Sequence, residues 1–185
     1  MRLLILYSSK HGQTEKIAQR IAEIARREGH AVAASPVASL QRDVRIGAYD
    51  SVIIAAPVYF GRFPKATIRF VARHFSELSS VRTALVAVSL AAKFNVDEAE
   101  SQVHKFVGVT GWLPATYFCV AGAEAFTKYG LFTRFIMKKI ARDQGRGGDF
   151  SKDREYTDWE ALERFAREFV AKEAVPTSST VAVQP

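Results

Sequence analysis

Residues able to grip an anion crowd into one short span near the N-terminus, Tyr7-Ser8-Ser9-Lys10-His11-Gly12-Gln13-Thr14. These types suit binding rather than bond cleavage. Ser and Thr hydroxyls and free backbone N–H groups donate to phosphate oxygens, and a glycine lets the backbone approach closely. Ser9, Lys10, His11, Gly12, Gln13 and Thr14 therefore form a candidate phosphate cradle. No Gly-Lys-Ser/Thr closes it, so it is not a nucleoside-triphosphate loop, and one glycine cannot make the GxGxxG dinucleotide fingerprint. A phosphate held by neither loop points to a mononucleotide. The plainer alternative is a capped strand-to-helix turn with no ligand.

Two other stretches weaken that alternative. "APVYFGRFP" (56–64) places Pro57, Val58, Tyr59, Phe60 and Gly61 after an apolar run. An aromatic pair on such a loop is a platform for a planar ring, unless both rings simply fill the core beneath it. Ser89, Leu90, Ala91 and Ala92 follow another apolar run and are mostly small, so a ring can lie against their backbone. Phosphate cradle, aromatic loop and small-residue loop together describe a flavin mononucleotide site. No catalytic side chain stands out. His11, His30, His74 and His104 are scattered without metal spacing and read as surface or structural, so no metal is expected. Cys119 lies in an apolar stretch and reads as an inert core thiol.

For these loops to meet, the elements between them must alternate, and they do. Arg2–Ser8 is an apolar run of the kind buried on both faces of a parallel sheet. Gln13–Glu28 is amphipathic, with Ile17, Ile21 and Ile24 on one face and Gly29 beyond its end. Further strands are expected at Ala31–Ser35, Ser51–Ala56, 83–89 and 115–122. Helices are expected from Pro64 at N1 to about Phe75, over Asp97–Val107, and in "TDWEALERFAREFVAKE" with Thr157 or Asp158 as N-cap. Five strands alternating with helices make a doubly wound α/β sheet, whose ligand site lies beyond the carboxyl ends of the strands. One domain is expected over 1–173, with a long insertion at 123–156 and a disordered tail at 174–185.

The chain has 185 residues and a net charge of +7, and that charge is local. Residues 126–146 hold Lys128, Arg134, Lys138, Lys139, Arg142 and Arg146 against Asp143 alone. A helix is expected around Leu131–Arg142, with Phe132, Ile136 and Ile140 forming an apolar stripe. Lys128, Phe132, Arg134, Ile136, Lys138 and Arg142 are candidate contacts with an anionic membrane surface or substrate. The competing reading is a solvated face. No nucleic-acid partner is expected. A single cysteine fits a reducing compartment, and no signal peptide or membrane-spanning run is visible. These features suggest a cytosolic protein, or one peripheral on the cytosolic face of a membrane.

"ILYSSKHGQT" resembles the flavodoxin signature. Together with the aromatic-glycine loop at Tyr59–Gly61, the basic insertion and "YTDWE" (156–160), the chain is similar to the menaquinone-dependent protoporphyrinogen IX dehydrogenases, a flavodoxin-like family of bacterial haem synthesis. The resemblance implies a flavodoxin-like five-stranded sheet and FMN-dependent oxidation of protoporphyrinogen IX to protoporphyrin IX. Electrons would pass to menaquinone or ubiquinone. It places the FMN phosphate on Ser9–Thr14 and the ring beside the residues after the fourth strand. Lys10 and His11 depart from the small residues of a typical flavodoxin loop. Two rival readings remain: a general flavodoxin-like electron carrier or soluble quinone reductase, and a receiver-like binding module. The latter is weakened because Ala55-Ala56-Pro57 holds no acidic phosphoacceptor.

Overall fold

The computed structural model describes residues 1–39, 44–124, 127, 135 and 152–171. Five parallel strands form one sheet in the order β2-β1-β3-β4-β5: β1 (Arg2–Tyr7), β2 (Ala31–Pro36), β3 (Ser51–Pro57), β4 (Arg82–Val88) and β5 (Thr116–Val120). Helices α1 (Gln13–Arg27), α2 (Lys65–Arg73), α3 (Phe75–Ser79), α4 (Ala91–Phe94), α5 (Val96–Thr110) and α6 (Trp159–Ala171) connect and cover the strands.

Past Arg2, Ser51 and Arg82-Thr83 at their starts, the central strands are apolar because both sheet faces are covered. Leu3, Ile5, Tyr7, Ile53, Ala55, Ala84 and Val86 join the core beneath α1 and α6. Their neighbours Leu4, Leu6, Val52, Ile54, Ala56, Leu85 and Ala87 face the opposite layer, with Phe70, Val103, Phe106 and Trp112. That split is the period of two expected of a pleated strand. On the first face α1 and α6 are tied by ion pairs from Arg20 to Glu163 and from Arg167 to Glu28.

The sequence reading needs correction at the element ends. Pro64 is the N-cap of α2, with ψ of 137°, and not its first helical residue. That helix stops at Arg73, and a separate α3 follows. The helix expected from Asp97 starts at Val96 and runs to Thr110, because Asn95 Oδ1 accepts from Glu98 N at 3.1 Å and Gly111 closes the far end at φ +69°. Of the two cap candidates for α6, Asp158 fills the role, its Oδ1 accepting from Ala161 N at 2.9 Å. Thr157 instead donates to Ala121 O at 2.8 Å.

A second sheet is new. Strands β6 (Ala123–Glu124) and β7 (Arg154–Glu155) pair antiparallel, Ala123 opposite Glu155 and Glu124 opposite Arg154. This ribbon brackets the basic insertion. The expected contacts Lys128, Phe132, Arg134, Ile136, Lys138 and Arg142 lie outside the described residues, as do 172–185.

Candidate functional site

The carboxyl ends of β1, β3 and β4 deliver three loops to one edge of the sheet. After β1, Ser8 N donates to Ala55 O at 3.0 Å, and Ser8 Oγ lies 2.8 Å from Thr67 Oγ1. These bonds tie the first turn to β3 and α2. Gly12 has φ +97° and donates its N–H to Ser9 Oγ at 3.1 Å. Only glycine enters that region without strain. As N-cap of α1, Gly12 brings no side chain to accept from the first-turn amides. Those donors, at the positive end of the helix dipole, are therefore left for an anion.

The loop after β3 begins with Val58 N donating to Val88 O at 2.8 Å. Tyr59 and Arg62 then exchange both backbone hydrogen bonds, each at 3.0 Å, around Phe60 at φ +50° and Gly61 at φ +72°. Positive φ at both central positions makes a type I′ turn, which favours Asn-Gly. A phenylalanine there is strained by about 1–3 kcal/mol. The residue is nonetheless 64% exposed, so burial does not offset the strain. Edge-on contact with His11, at a centroid separation of 6.0 Å, joins Tyr59 to the first turn.

The loop after β4 is fixed by Ser89, whose N–H donates to Val120 O at 3.0 Å and whose Oγ accepts from Ala92 N at 3.3 Å. Between the three loops lies a cavity of about 890 Å³. Ser9, Lys10, His11, Gln13 and Thr14 line one end, Pro57, Val58, Tyr59, Phe60 and Gly61 a second wall, and Ser89, Leu90 and Ala91 a third. The sequence reading thus brought almost all of its loop residues to one cavity. Gly12 and Ala92 do not line it; they shape its turns.

Seven lining residues escaped that reading: Val88, Phe94, Asn95, Glu98, Gln102, Gly122 and Ala123. Asn95 and Glu98 did carry a signal, since Asn-x-x-Glu opens helices. Gly122 sits so close to β4 that a Cβ would lie 3.0 Å from Val88 Cγ1. Gln102 gave no signal. It is 6% exposed, its Nε2 donates to Glu98 Oε1 at 3.2 Å, and its Oε1 has no hydrogen-bond partner among the described residues.

The ribbon at the base of the insertion is fastened to this edge. Gln13 Nε2 donates to Thr157 Oγ1 at 2.8 Å, and Lys16 Nζ meets Glu155 Oε2 at 2.7 Å. Burial alone would raise the Glu155 carboxyl, but hydrogen bonds from Lys16 and Trp159 outweigh it and hold the group below its ordinary range. Tyr156 packs edge-on against Phe94 at 5.3 Å and donates to the buried Glu124 at 3.0 Å. The other histidines lie elsewhere. His74 Nδ1 is 2.9 Å from Glu77 Oε1, and His30 Nδ1 is 3.3 Å from the N-terminal amine. Burial pushes the Cys119 thiol up to about 11, with Glu100 adding to the effect, so the thiolate is scarce at neutral pH.

Comparison with known proteins identifies the family. Residues 4–151 match the flavodoxin domain family. Over 182 residues the chain is 32% identical to the protoporphyrinogen IX dehydrogenase [quinone] of Escherichia coli K12, covering 96% of this chain and 99% of that one. The chain belongs to the flavodoxin-like protoporphyrinogen IX dehydrogenase family.

A protoporphyrinogen IX dehydrogenase [quinone] of Leishmania major is also 32% identical, over 92% of this chain and 75% of its own. Among solved structures, flavodoxin 1 of Bacillus cereus superimposes with a TM-score of 0.54 at 16% identity, covering 92% of this chain and 98% of its own. The Streptococcus pneumonia TIGR4 flavodoxin gives 0.55 at 20% identity, over 92% and 99%. At those identities the likeness is one of fold. The domain match ends at residue 151, before α6, whereas the match to the Escherichia coli dehydrogenase covers 96% of the chain. Among the described residues no helix is long and apolar enough to cross a membrane.

Proposed function

We infer that the protein is an FMN-dependent protoporphyrinogen IX dehydrogenase of haem synthesis, passing electrons to a quinone. The observation that carries this reading is the near-full-length match, at 32% identity, to a dehydrogenase of that name, against 16–20% for the flavodoxins. The cavity fits the cofactor in kind: an uncapped helix N-terminus for the phosphate, and aromatic and small-residue walls for a ring. FMN supplies the two-electron chemistry, three rounds of which separate protoporphyrinogen IX from protoporphyrin IX. The chain's own residues bind and orient. Ser9–Thr14 would hold the phosphate, and Tyr59 and Phe60 would flank the ring opposite Ser89–Ala92. The decisive assay mixes the FMN-loaded protein with protoporphyrinogen and a menaquinone analogue without oxygen, and follows porphyrin fluorescence. Quinone-dependent formation of porphyrin is expected. A flavin-loaded protein that passes electrons only to redox proteins would leave the electron-carrier reading instead.

Phe60 tests whether its turn is strained for a purpose. Phe60→Asn installs the preferred Asn-Gly pair and removes the strain. It is expected to raise stability to urea by about 1 kcal/mol while weakening FMN or substrate binding, because a flanking aromatic contributes roughly 0.5–1.5 kcal/mol. Greater stability with unchanged binding of both ligands would remove Phe60 from the site.

The basic insertion is the proposed contact with an anionic inner-membrane surface, through Lys128, Phe132, Arg134, Ile136, Lys138 and Arg142, on the cytoplasmic side. The supporting fact is composition: cations interleaved with apolar residues, in a segment whose stem joins the cavity edge. Each cation near such a surface is worth about 1 kcal/mol. Neutralising Arg134, Lys138 and Arg142 together should weaken binding to anionic vesicles by roughly 100-fold at low salt, with less effect at high salt. Unchanged vesicle binding but a raised KM would assign these cations to the substrate propionates.

A further inference from the structure

Helix α2 reads KATIRFVAR, with three cations and no carboxylate. Lys65, Arg69 and Arg73 recur every four residues, within about 80° of one another around the axis and along about 12 Å of it. All three are exposed, as is Arg62 just ahead of the helix, while Thr67, Phe70 and Val71 are buried on the opposite face. None of these four cations enters an ion pair among the described residues. The acidic residue next along the chain, Glu77 of α3, turns instead to His74 Nδ1 and Ile46 N. The opposite layer treats its cations differently: Lys16, Arg20 and Arg167, on α1 and α6, each meet a glutamate.

The row of cations works against its own helix. Like charges four residues apart destabilise a helix, and Lys65 stands in the first turn, where the dipole favours an acidic residue. Pro64 at the N-cap makes no side-chain hydrogen bond that would offset this. An anionic neighbour relieves all of these conflicts at once. The row also continues a wall of the cavity. Tyr59, Phe60 and Gly61 line that wall, and Arg62 closes their turn by exchanging both backbone hydrogen bonds with Tyr59. Phe60, 64% exposed, stands at the head of the row. From another wall, Gly122 and Ala123 lead into the ribbon that carries the basic insertion.

We propose that the outer face of α2, formed by Lys65, Arg69 and Arg73 and headed by Arg62 and Phe60, is a docking surface for an anionic lipid bilayer. Its purpose rests on the quinone-coupled reading above. A row of cations on one convex helix needs anions at many positions and no fixed shape, which a layer of lipid headgroups supplies. An exposed aromatic beside the row suits the boundary between headgroups and acyl chains. Charge complementarity of this kind favours a bilayer over a folded acidic protein, which would have to match the helix in shape as well. The contact is separate from the insertion and lies across the cavity from its stem. It holds the Phe60 wall of the cavity at the membrane surface, so that an apolar quinone reaches the flavin without leaving the lipid.

The test uses the full-length, flavin-loaded protein and vesicles of phosphatidylcholine, with or without phosphatidylglycerol. Replacing Lys65, Arg69 and Arg73 together by Gln, with the insertion left intact, should weaken binding to the anionic vesicles roughly 100-fold at low salt. High salt should narrow that difference, and neutral vesicles should bind both proteins equally poorly. The three positions are exposed, so the variant keeps its fold, and its turnover with a water-soluble quinone should stay at the wild-type level. Turnover with menaquinone embedded in anionic vesicles should fall along with the binding. Ala66→Trp, exposed beside the row, reads the contact directly. Its emission should be quenched by brominated phosphatidylglycerol, and much less so when the three cations are also replaced. Equal binding of anionic vesicles by wild type and the triple variant, or Ala66→Trp emission untouched by brominated lipid, overturns the proposal and leaves an acidic protein as the partner of the row. Vesicle binding is measured without substrate or quinone, so a wild type that binds vesicles through α2 but reduces no quinone would overturn the functional reading and not this surface.

Discussion

Gly12→Asp is expected to yield a folded but colourless protein. Two effects add at this position. Gly12 sits at φ +97°, where a side chain costs roughly 1–2 kcal/mol. A carboxylate at the N-cap of α1 would also face the anion proposed for the same turn. Two like charges about 4 Å apart near a protein surface repel by about 4 kcal/mol. Together they should weaken FMN binding by at least about 1,000-fold. Gly12→Asn separates the two, because asparagine tolerates left-handed backbone and carries no charge; it should retain most of the affinity. Equilibrium dialysis on both variants, with melting curves to show that each is folded, checks the result. Flavin retention by Gly12→Asp at the wild-type level would remove the phosphate from this turn.

The second large effect concerns the fold. Phe169→Ala should lower unfolding free energy by about 3–5 kcal/mol, the usual cost of deleting a buried aromatic ring. Phe169 is buried with Leu162, Ala166 and Val170 against the strands, and the Arg82 guanidinium lies 4.2 Å above its ring. Phe165 beside it stacks on Phe118 of β5 at 4.8 Å. A loss of that size is a large part of the roughly 5–15 kcal/mol that holds a domain together. Urea titration followed by circular dichroism measures it. A change below about 1 kcal/mol would mean that α6, which lies beyond the matched flavodoxin domain, contributes little to the core.

The sheet could be read from the sequence because β1, β3 and β4 are continuous apolar runs past their first one or two residues, as a strand covered on both faces requires. Loop identities followed from the sheet, since parallel strands bring their carboxyl ends to one edge. What escaped was of two kinds. Element ends depended on single caps: Asn95 moved the start of α5, and Pro64 stood one residue outside α2. Site residues far from the loops had no local mark. Gln102 lies within a helix, and its place in the cavity comes from packing across long sequence distances. The ribbon β6–β7 was equally hidden, because two pairs of residues leave no periodicity to detect.

That ribbon also bears on how such a protein can change over generations. Ala123 and Glu155 face each other as pairing partners, and Tyr156 N donates to Gly122 O at 3.0 Å just outside them. The ends of the intervening segment are therefore clamped together whatever lies between. Closing a loop grows costlier only as the logarithm of its length, about 0.6 kcal/mol for each doubling. The segment between the clamps can accordingly lengthen, shorten or be exchanged by insertion and deletion with little penalty to the rest of the chain. Grafted with Gly122–Glu124 and Arg154–Tyr156, it becomes a cassette that another protein of the same topology could carry. Lineages built on this scaffold can thus acquire or discard the inserted segment without redesigning the sheet beneath it.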